Sequence, residues 1–237
     1  MKKFLSMPTP LGLSAACNVK HSGAKFQFTT SKANPVISDI SSNGATTVTS
    51  ITNGKKHTEE FPNGFSSATL VVSADANTVI KINGQITVFK PRIGYQTTAW
   101  LTSFKCISQY SITEIDLSNN LQEAQLDTFV IQDCPNLSTL VVDSCNIKSL
   151  DLSGMVSLRK LSCSHNSSLA PFDSSECTAL EEIRCVDSLS SWTEVYTVVQ
   201  KLPVFSSGVH EIYVSNNVIQ YISDTASSKG WTAKGGG

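Results

Sequence analysis

Charge is sparse in this chain: Asp, Glu, Lys and Arg make up 16% of its 237 residues and nearly cancel, to a net charge of -1. That balance lacks the basic excess that draws a protein to nucleic acid or to an anionic membrane surface. Long apolar runs are missing too, and none approaches the roughly 20 residues a helix needs to span a bilayer. The sequence contains no HExxH, no P-loop and no GxGxxG. Its four histidines, His21, His57, His165 and His210, are scattered, outside any Ser/His/Asp or Cys/His context. The paired carboxylates Glu59-Glu60 and Glu181-Glu182 are adjacent, so on a strand they face opposite ways or flank a turn. No catalytic residue, cofactor or metal is therefore expected. What remains is abundant Ser, Thr and Asn, a composition suited to β-structure with polar turns, in a chain long enough for one large or two small domains.

The organising feature lies between Leu101 and Ser188. An eleven-residue pattern recurs there, apolar at positions 1, 4, 6 and 11 with Asn, Cys or Ser at position 9, as in Leu137, Leu140, Val142, Cys145 and Ile147. Units start at Leu101, Ile112, Leu126, Leu137, Ile147, Leu158, Leu169 and Leu180, with one short insertion across Asn119 to Gln125. Two units make a coil of about 22 residues, so alternate units stack into two parallel ladders. One ladder carries Leu117, Val142, Cys163 and Cys185 inward; the other carries Cys106, Ile131, Leu152 and Ser174. The ninth column, Asn120, Cys145, Asn166 and Ser188, is placed to satisfy the backbone where each coil turns.

Seven cysteines suggest disulfides, yet the number is odd and six of them follow the columns. Buried free thiols are the expectation. A zinc site from Cys163, His165 and Cys185 fails on the same columns, which turn Cys163 inward and leave His165 in a turn. The sequons at Asn136 and Asn166 are explained first by their column positions.

Flanking segments break the pattern. Lys25–Thr30, Thr46–Ile51, Ala68–Val72, Thr78–Ile82 and Gln85–Phe89 read as strands, with turns at Asn43-Gly44, Asn53-Gly54 and Asn63-Gly64 and a hairpin at Asn83-Gly84. Five or six antiparallel strands would cap the first coil. Beyond Ser188, Trp192, Val195, Tyr196 and Val199 have helical spacing, predicting a helix over Ser191–Leu202. Val209, Ile212, Val214 and Asn217 then restore the repeat, and Val218–Ser227 reads as a second short helix, with Gly230-Trp231 turning the tail back. The expected organisation is an N-terminal arm (1–20), a β-rich capping or anchoring domain (21–95), the repeats (96–188) and a C-terminal β-α-β cap (189–237). Lys2, Lys3 and Ser14-Ala15-Ala16-Cys17 hint at an export signal, but Pro8 and Pro10 interrupt it, and an uncleaved arm is the preferred reading.

Ile115-Asp116-Leu117-Ser118-Asn119-Asn120, Leu150-Asp151-Leu152-Ser153 and Leu161-Ser162-Cys163-Ser164-His165-Asn166 resemble the repeats of bacterial-type leucine-rich repeat proteins. Similar short repeats with Cys in the strand occur in surface proteins of gut bacteria and in proteins of their phages. The resemblance implies a mainly β protein with some α, a leucine-rich-repeat solenoid used as a recognition surface. The expected function is that of a non-enzymatic structural or recognition protein in a phage virion, capsid- or tail-associated; the alternative is an exported bacterial cell-surface adhesin. A glycine tail such as Gly235-Gly236-Gly237 is ordered only where something holds it, which in a particle would be the neighbouring subunits. Partners would be virion subunits, host-surface proteins or glycans, or a second copy of the chain. The binding surface is placed on the outward side of the first ladder, at Asp116, Lys160, Ser162, Glu182, Arg184, Glu211 and Tyr213. Tyr213 leads that set as a rigid aromatic; its competing role is packing against the C-terminal helix.

Overall fold

The computed structural model describes residues 25–31, 33, 35–91, 101–118 and 126–236. The expected arm with Cys17, the insertion at 119–125 with Asn120, and Gly237 lie outside them. The first seven strands are β1 (Lys25–Thr30), β2 (Val36–Ser42), β3 (Thr46–Thr52), β4 (Lys55–Phe61), β5 (Phe65–Val71), β6 (Val79–Asn83) and β7 (Ile86–Phe89). They are followed by β8 (Leu101–Ile107), β9 (Glu114–Asp116), β10 (Thr128–Gln132), β11 (Thr139–Val141), β12 (Lys160–Ser162) and β13 (Glu182–Arg184). The chain closes with α1 (Trp192–Gln200), β14 (Glu211–Ser215), α2 (Ile219–Ser228) and β15 (Thr232–Gly236). The described residues are thus mainly β with two helices, arranged on two open sheets of mixed direction. One runs β10-β8-β1-β6-β3-β4, the other β15-β14-β13-β12-β11-β9-β7-β2-β5.

The N-terminal strands do not make a single antiparallel unit. They divide between the two sheets, which pack face to face over an aromatic core. Alternation in β1 turns Phe26 and Phe28 inward, where both meet Phe89 of β7 at ring distances of 4.8 and 5.5 Å. Phe104 of β8 stacks on Phe89 at 5.6 Å from the same side as β1. Each sheet then changes direction at a defined seam: β1 pairs antiparallel with β8, which pairs parallel with β10, and β2 pairs antiparallel with β7, which pairs parallel with β9. Both sheets therefore run unbroken from the N-terminal strands into the repeating segment.

The expected hairpin at Asn83-Gly84 is not formed, because β6 and β7 belong to different sheets. A two-residue hairpin of type I′ needs positive φ at both central residues. Asn53 (51°) and Gly54 (69°) provide it, and they join β3 to β4 with Thr52 opposite Lys55. Gly84 has another task. A Cβ there would overlap the Thr46 side chain, so glycine lets this corner close against the start of β3.

From β9 to β14 one register holds throughout. Ile115, Leu140, Leu161, Ile183 and Ile212 face one another across successive parallel strands, and all five are fully buried. The next inward column, Leu117, Val142, Cys163, Cys185 and Val214, is buried as well. Each inward aliphatic side chain stabilises the stack by about 1.5–3 kcal/mol. Beside it runs the polar column. Asn166 is completely buried and makes five hydrogen bonds: its Oδ1 accepts from the backbone N–H of Cys145 and Ile147, and its Nδ2 donates to the carbonyls of Val142, Cys163 and Ser164. The Cys145 thiol donates to the Leu117 carbonyl at 3.2 Å, and the Ser188 hydroxyl donates to that of Cys163.

The second ladder is shorter than its periodicity suggests. Only Cys106 and Ile131 lie in paired strands, β8 and β10; Leu152 and Ser174 are buried in turn-rich segments. Local chemistry explains the difference. Asp151 and Asp173 each accept the backbone N–H two residues on, from Ser153 at 3.0 Å and Ser175 at 2.9 Å, turning the chain before a strand can extend. Ser174, the polar residue in this apolar column, donates its hydroxyl to the Lys201 carbonyl at the C-terminus of α1. It thereby serves a carbonyl that has no partner within the helix.

Helix α1 forms where its spacing predicts. Ser191 caps it by accepting the Glu194 N–H, and Val195, Val198 and Val199 are its buried face. Trp192 is not part of that face; it is exposed and stacks on Tyr221 of α2 at 4.9 Å. The β-α-β end is longer than expected, since α2 leads into β15. That strand pairs in parallel with β14 over five residues, from Thr232 to Gly236. The described part of the glycine tail is thus held by its own chain, and its order gives no argument for a neighbouring subunit.

Candidate functional site

Strand geometry builds the outer face. Because successive side chains alternate, the residues on either side of each inward Ile or Leu point outward, and the shared register aligns them in rows whose neighbouring members stand about 4.8 Å apart. The first row runs Val88, Glu114, Thr139, Lys160, Glu182, Glu211, Thr232. The second runs Asp116, Val141, Ser162, Arg184, Tyr213, Lys234. All seven residues selected from sequence fall in these two rows.

Charged side chains of the two rows engage one another. Lys160 Nζ lies 3.2 Å from Glu182 Oε1, which also accepts from Arg184 Nε at 2.7 Å. Arg184 lays its guanidinium 4.1 Å above the Tyr213 ring, and Lys234 lies 5.8 Å from the same ring. Tyr213 donates its hydroxyl to Glu211 Oε2 at 2.7 Å, while Lys234 pairs with Glu211 Oε1. The Arg184 hydrogen bond, assisted by Lys160, holds the Glu182 carboxyl below its ordinary range; Lys234 and then Tyr213 do the same for Glu211. The Glu211 bond in turn raises the Tyr213 phenol. Tyr213 therefore sits within the charge network rather than against a C-terminal helix.

Ser162 departs from its expected role as an exposed contact. It is buried, because Asp143 folds over it and accepts its hydroxyl at 2.7 and 2.8 Å. Asp143 also accepts the Ser164 N–H at 2.7 Å, so this carboxylate clamps two coils together. Asp116 accepts the Ser118 N–H at 2.9 Å. Three members of the face escaped sequence reasoning. Lys90, 2.6 Å from Glu114, follows β7 and lies outside the repeating pattern. Lys234 belongs to β15, a strand no pattern announced. Asp143 stands two residues beyond an outward position, and continuing the alternation past the strand would have found it.

The six described cysteines are free and buried, as their columns imply. Burial pushes the Cys177 and Cys185 thiols up to about 12 and raises those of Cys145 and Cys163 as well. His165 turns away from Cys163, its Nδ1 3.6 Å from Asp187 Oδ2. Among the described residues, no group of three or more His, Cys, Asp or Glu is placed to hold a metal ion, and no helix is long and apolar enough to cross a membrane. Asn166, the residue of one sequon, spends its amide inside the polar column, and Asn136 donates to the Tyr110 carbonyl at 2.6 Å. The chain matches no protein-family model, no curated protein and no solved structure with which it was compared.

Proposed function

We propose that this chain is a leucine-rich-repeat protein of the bacterial or phage type, a solenoid that recognises a protein partner through its outer face and catalyses nothing. The observation that carries this reading is the pair of straight outward rows, whose charges are fixed by neighbours before any partner arrives. Exposed ion pairs add little stability, about 0–1 kcal/mol each. Their value here is geometric: Arg184, Lys234, Glu182 and Glu211 are held in one arrangement, which lowers the ordering cost of binding and favours a partner of complementary charge. The repeat-like polar column supports the solenoid assignment, since Asn, Cys and Ser recur there at the spacing of the coils.

The proposed setting is a phage particle, with the face turned to another virion subunit. Mass spectrometry of purified particles tests this directly, combined with lysine cross-linking from Lys160 and Lys234. Particles containing the chain, with cross-links from either lysine to a structural subunit, support the reading; particles that lack it end it. Native N-terminal sequencing that finds cleavage before Cys17, with lipid on that cysteine, would move the protein to a bacterial cell surface.

A further inference from the structure

The three Asn-Gly pairs that do not form hairpins share a location. Asn43-Gly44, Asn63-Gly64 and Asn83-Gly84 mark the passages from β2 to β3, from β4 to β5 and from β6 to β7, each crossing between the two sheets. They meet at one end of the sandwich. Asn43 donates its backbone N–H to the Gln85 carbonyl at 3.1 Å. Gly64 lies so close to the Ser42 carbonyl and the Gly44 nitrogen that a Cβ would overlap both. These contacts fix the rim of a shallow, open hollow of about 590 Å³.

The lining has a distinct chemistry. Asn43, Asn63, Ser66 and Thr87 present two amides and two hydroxyls, and none of these side chains has a hydrogen-bond partner among the described residues. Phe65 adds a half-buried ring, held edge-on by Phe61 at 5.1 Å. The lining contains no ionisable side chain.

We propose that this hollow binds a neutral glycan. An amide offers a donor and an acceptor side by side, which matches a pair of neighbouring sugar hydroxyls. The Phe65 ring offers a flat apolar surface for the C–H face of a pyranose. An anionic ligand would meet no countercharge here, and an apolar ligand would cover four polar side chains without replacing their water. A neutral, polyhydroxylated ligand with one apolar face satisfies both constraints. Val88, which begins the first outward row of the ladder, also lines the hollow, so this site adjoins the charged face. It shares none of that face's charged residues and stands independently of the ladder's proposed partner.

The test uses saturation-transfer NMR on the full chain with lactose, cellobiose, maltose and N,N′-diacetylchitobiose as neutral probes and sialyllactose as the anionic one. At least one neutral disaccharide is expected to receive saturation on its ring C–H protons. Its affinity should fall by about ten-fold or more in Asn63→Ala and in Phe65→Leu, and stay unchanged in Arg184→Ala. Asn63 is exposed, so its variant keeps the fold; circular dichroism and thermal melting verify this for both. The proposal is overturned if no neutral disaccharide binds. It is overturned equally if sialyllactose binds better than its neutral parent, or if Arg184→Ala, rather than Asn63→Ala, removes binding.

Discussion

Between β9 and β14 the chain buries a polar column next to its apolar ones, whereas the sandwich of β1 to β8 buries aromatic rings and turns its corners on Asn-Gly pairs. In the first region one strand's interactions are repeated by the next, so each residue answers to neighbours in the adjoining parallel strands. In the second, Phe26 and Phe89 meet across two sheets, and no local rule relates them. Periodic stacking makes hydrogen-bond satisfaction the critical quantity; the sandwich depends on ring packing. Both regions share the same two sheets, so their stabilities are linked.

The sharpest way to break this contrast is Asn166→Leu. It keeps the branched shape of the side chain but removes five buried hydrogen bonds. Each backbone group left unsatisfied costs about 1–3 kcal/mol, so a loss of about 4–6 kcal/mol in urea unfolding is expected. A loss below about 2 kcal/mol would show that apolar stacking alone holds the coils. Phe89→Ala is the counterpart in the sandwich. It removes a ring that touches Phe26, Phe28 and Phe104, and about 3–5 kcal/mol should be lost. Because the sheets are continuous, both variants should still unfold in one transition. Two separated transitions in Phe89→Ala would divide the molecule at the seams between β7 and β9 and between β8 and β10.

Alkaline pH separates the regions by a different route, since the described thiols beyond Cys134 all lie in the coils. Cys185 carries a folded pKa of about 12 against 9.0 when unfolded. Above pH 9 the unfolded chain releases this proton while the folded chain keeps it. The stability contributed by the buried neutral thiol is complete below 9 and is lost as pH rises toward 12. At pH 10.5 this amounts to about 2 kcal/mol for Cys185. The difference between wild type and Cys185→Ala in urea should narrow by that amount between pH 8 and pH 10.5; a constant difference would contradict it.

The same contrast explains what could be read without coordinates. The inward columns, the free thiols and the role of Asn166 were legible because a stacked coil converts spacing directly into position. So were α1 and α2, whose apolar residues recur at helical intervals. The sandwich was not, because strand alternation identifies β1 or β3 without saying which sheet either joins. Asn83-Gly84 shows the limit: the same dipeptide makes a hairpin at Asn53-Gly54 through positive φ and a corner here through close approach to Thr46. The candidate face was legible in its two rows, yet Ser162 lay under Asp143, a contact between coils that a strand pattern ending at Val141 omits. The glycine positions allow a direct check. Gly84→Ala should cost about 1–3 kcal/mol through overpacking against Thr46, and Gly54→Ala about 1–2 kcal/mol through backbone strain alone. Thr46→Ala should recover part of the first and none of the second.

The smallest expected effect is on the outer face, and its smallness is informative. Arg184→Ala removes the bond to Glu182 and the cover over Tyr213, but these groups are partly exposed and salt-screened. Stability should fall by less than about 1 kcal/mol, with most of that difference gone at about 1 M salt. Glu182, relieved of its principal partner, should titrate closer to the ordinary carboxylate range, which carboxyl-detected NMR can follow. In wild type the lowered carboxyl contributes stability that is present above its unfolded value and lost as pH falls through its folded one, so the variant should be less sensitive to acid in that window. A loss comparable to that of Asn166→Leu would mean that the charged rows, and not the buried column, hold the coils in register. The face would then be part of the fold's support, and its charges could not be assigned to recognition.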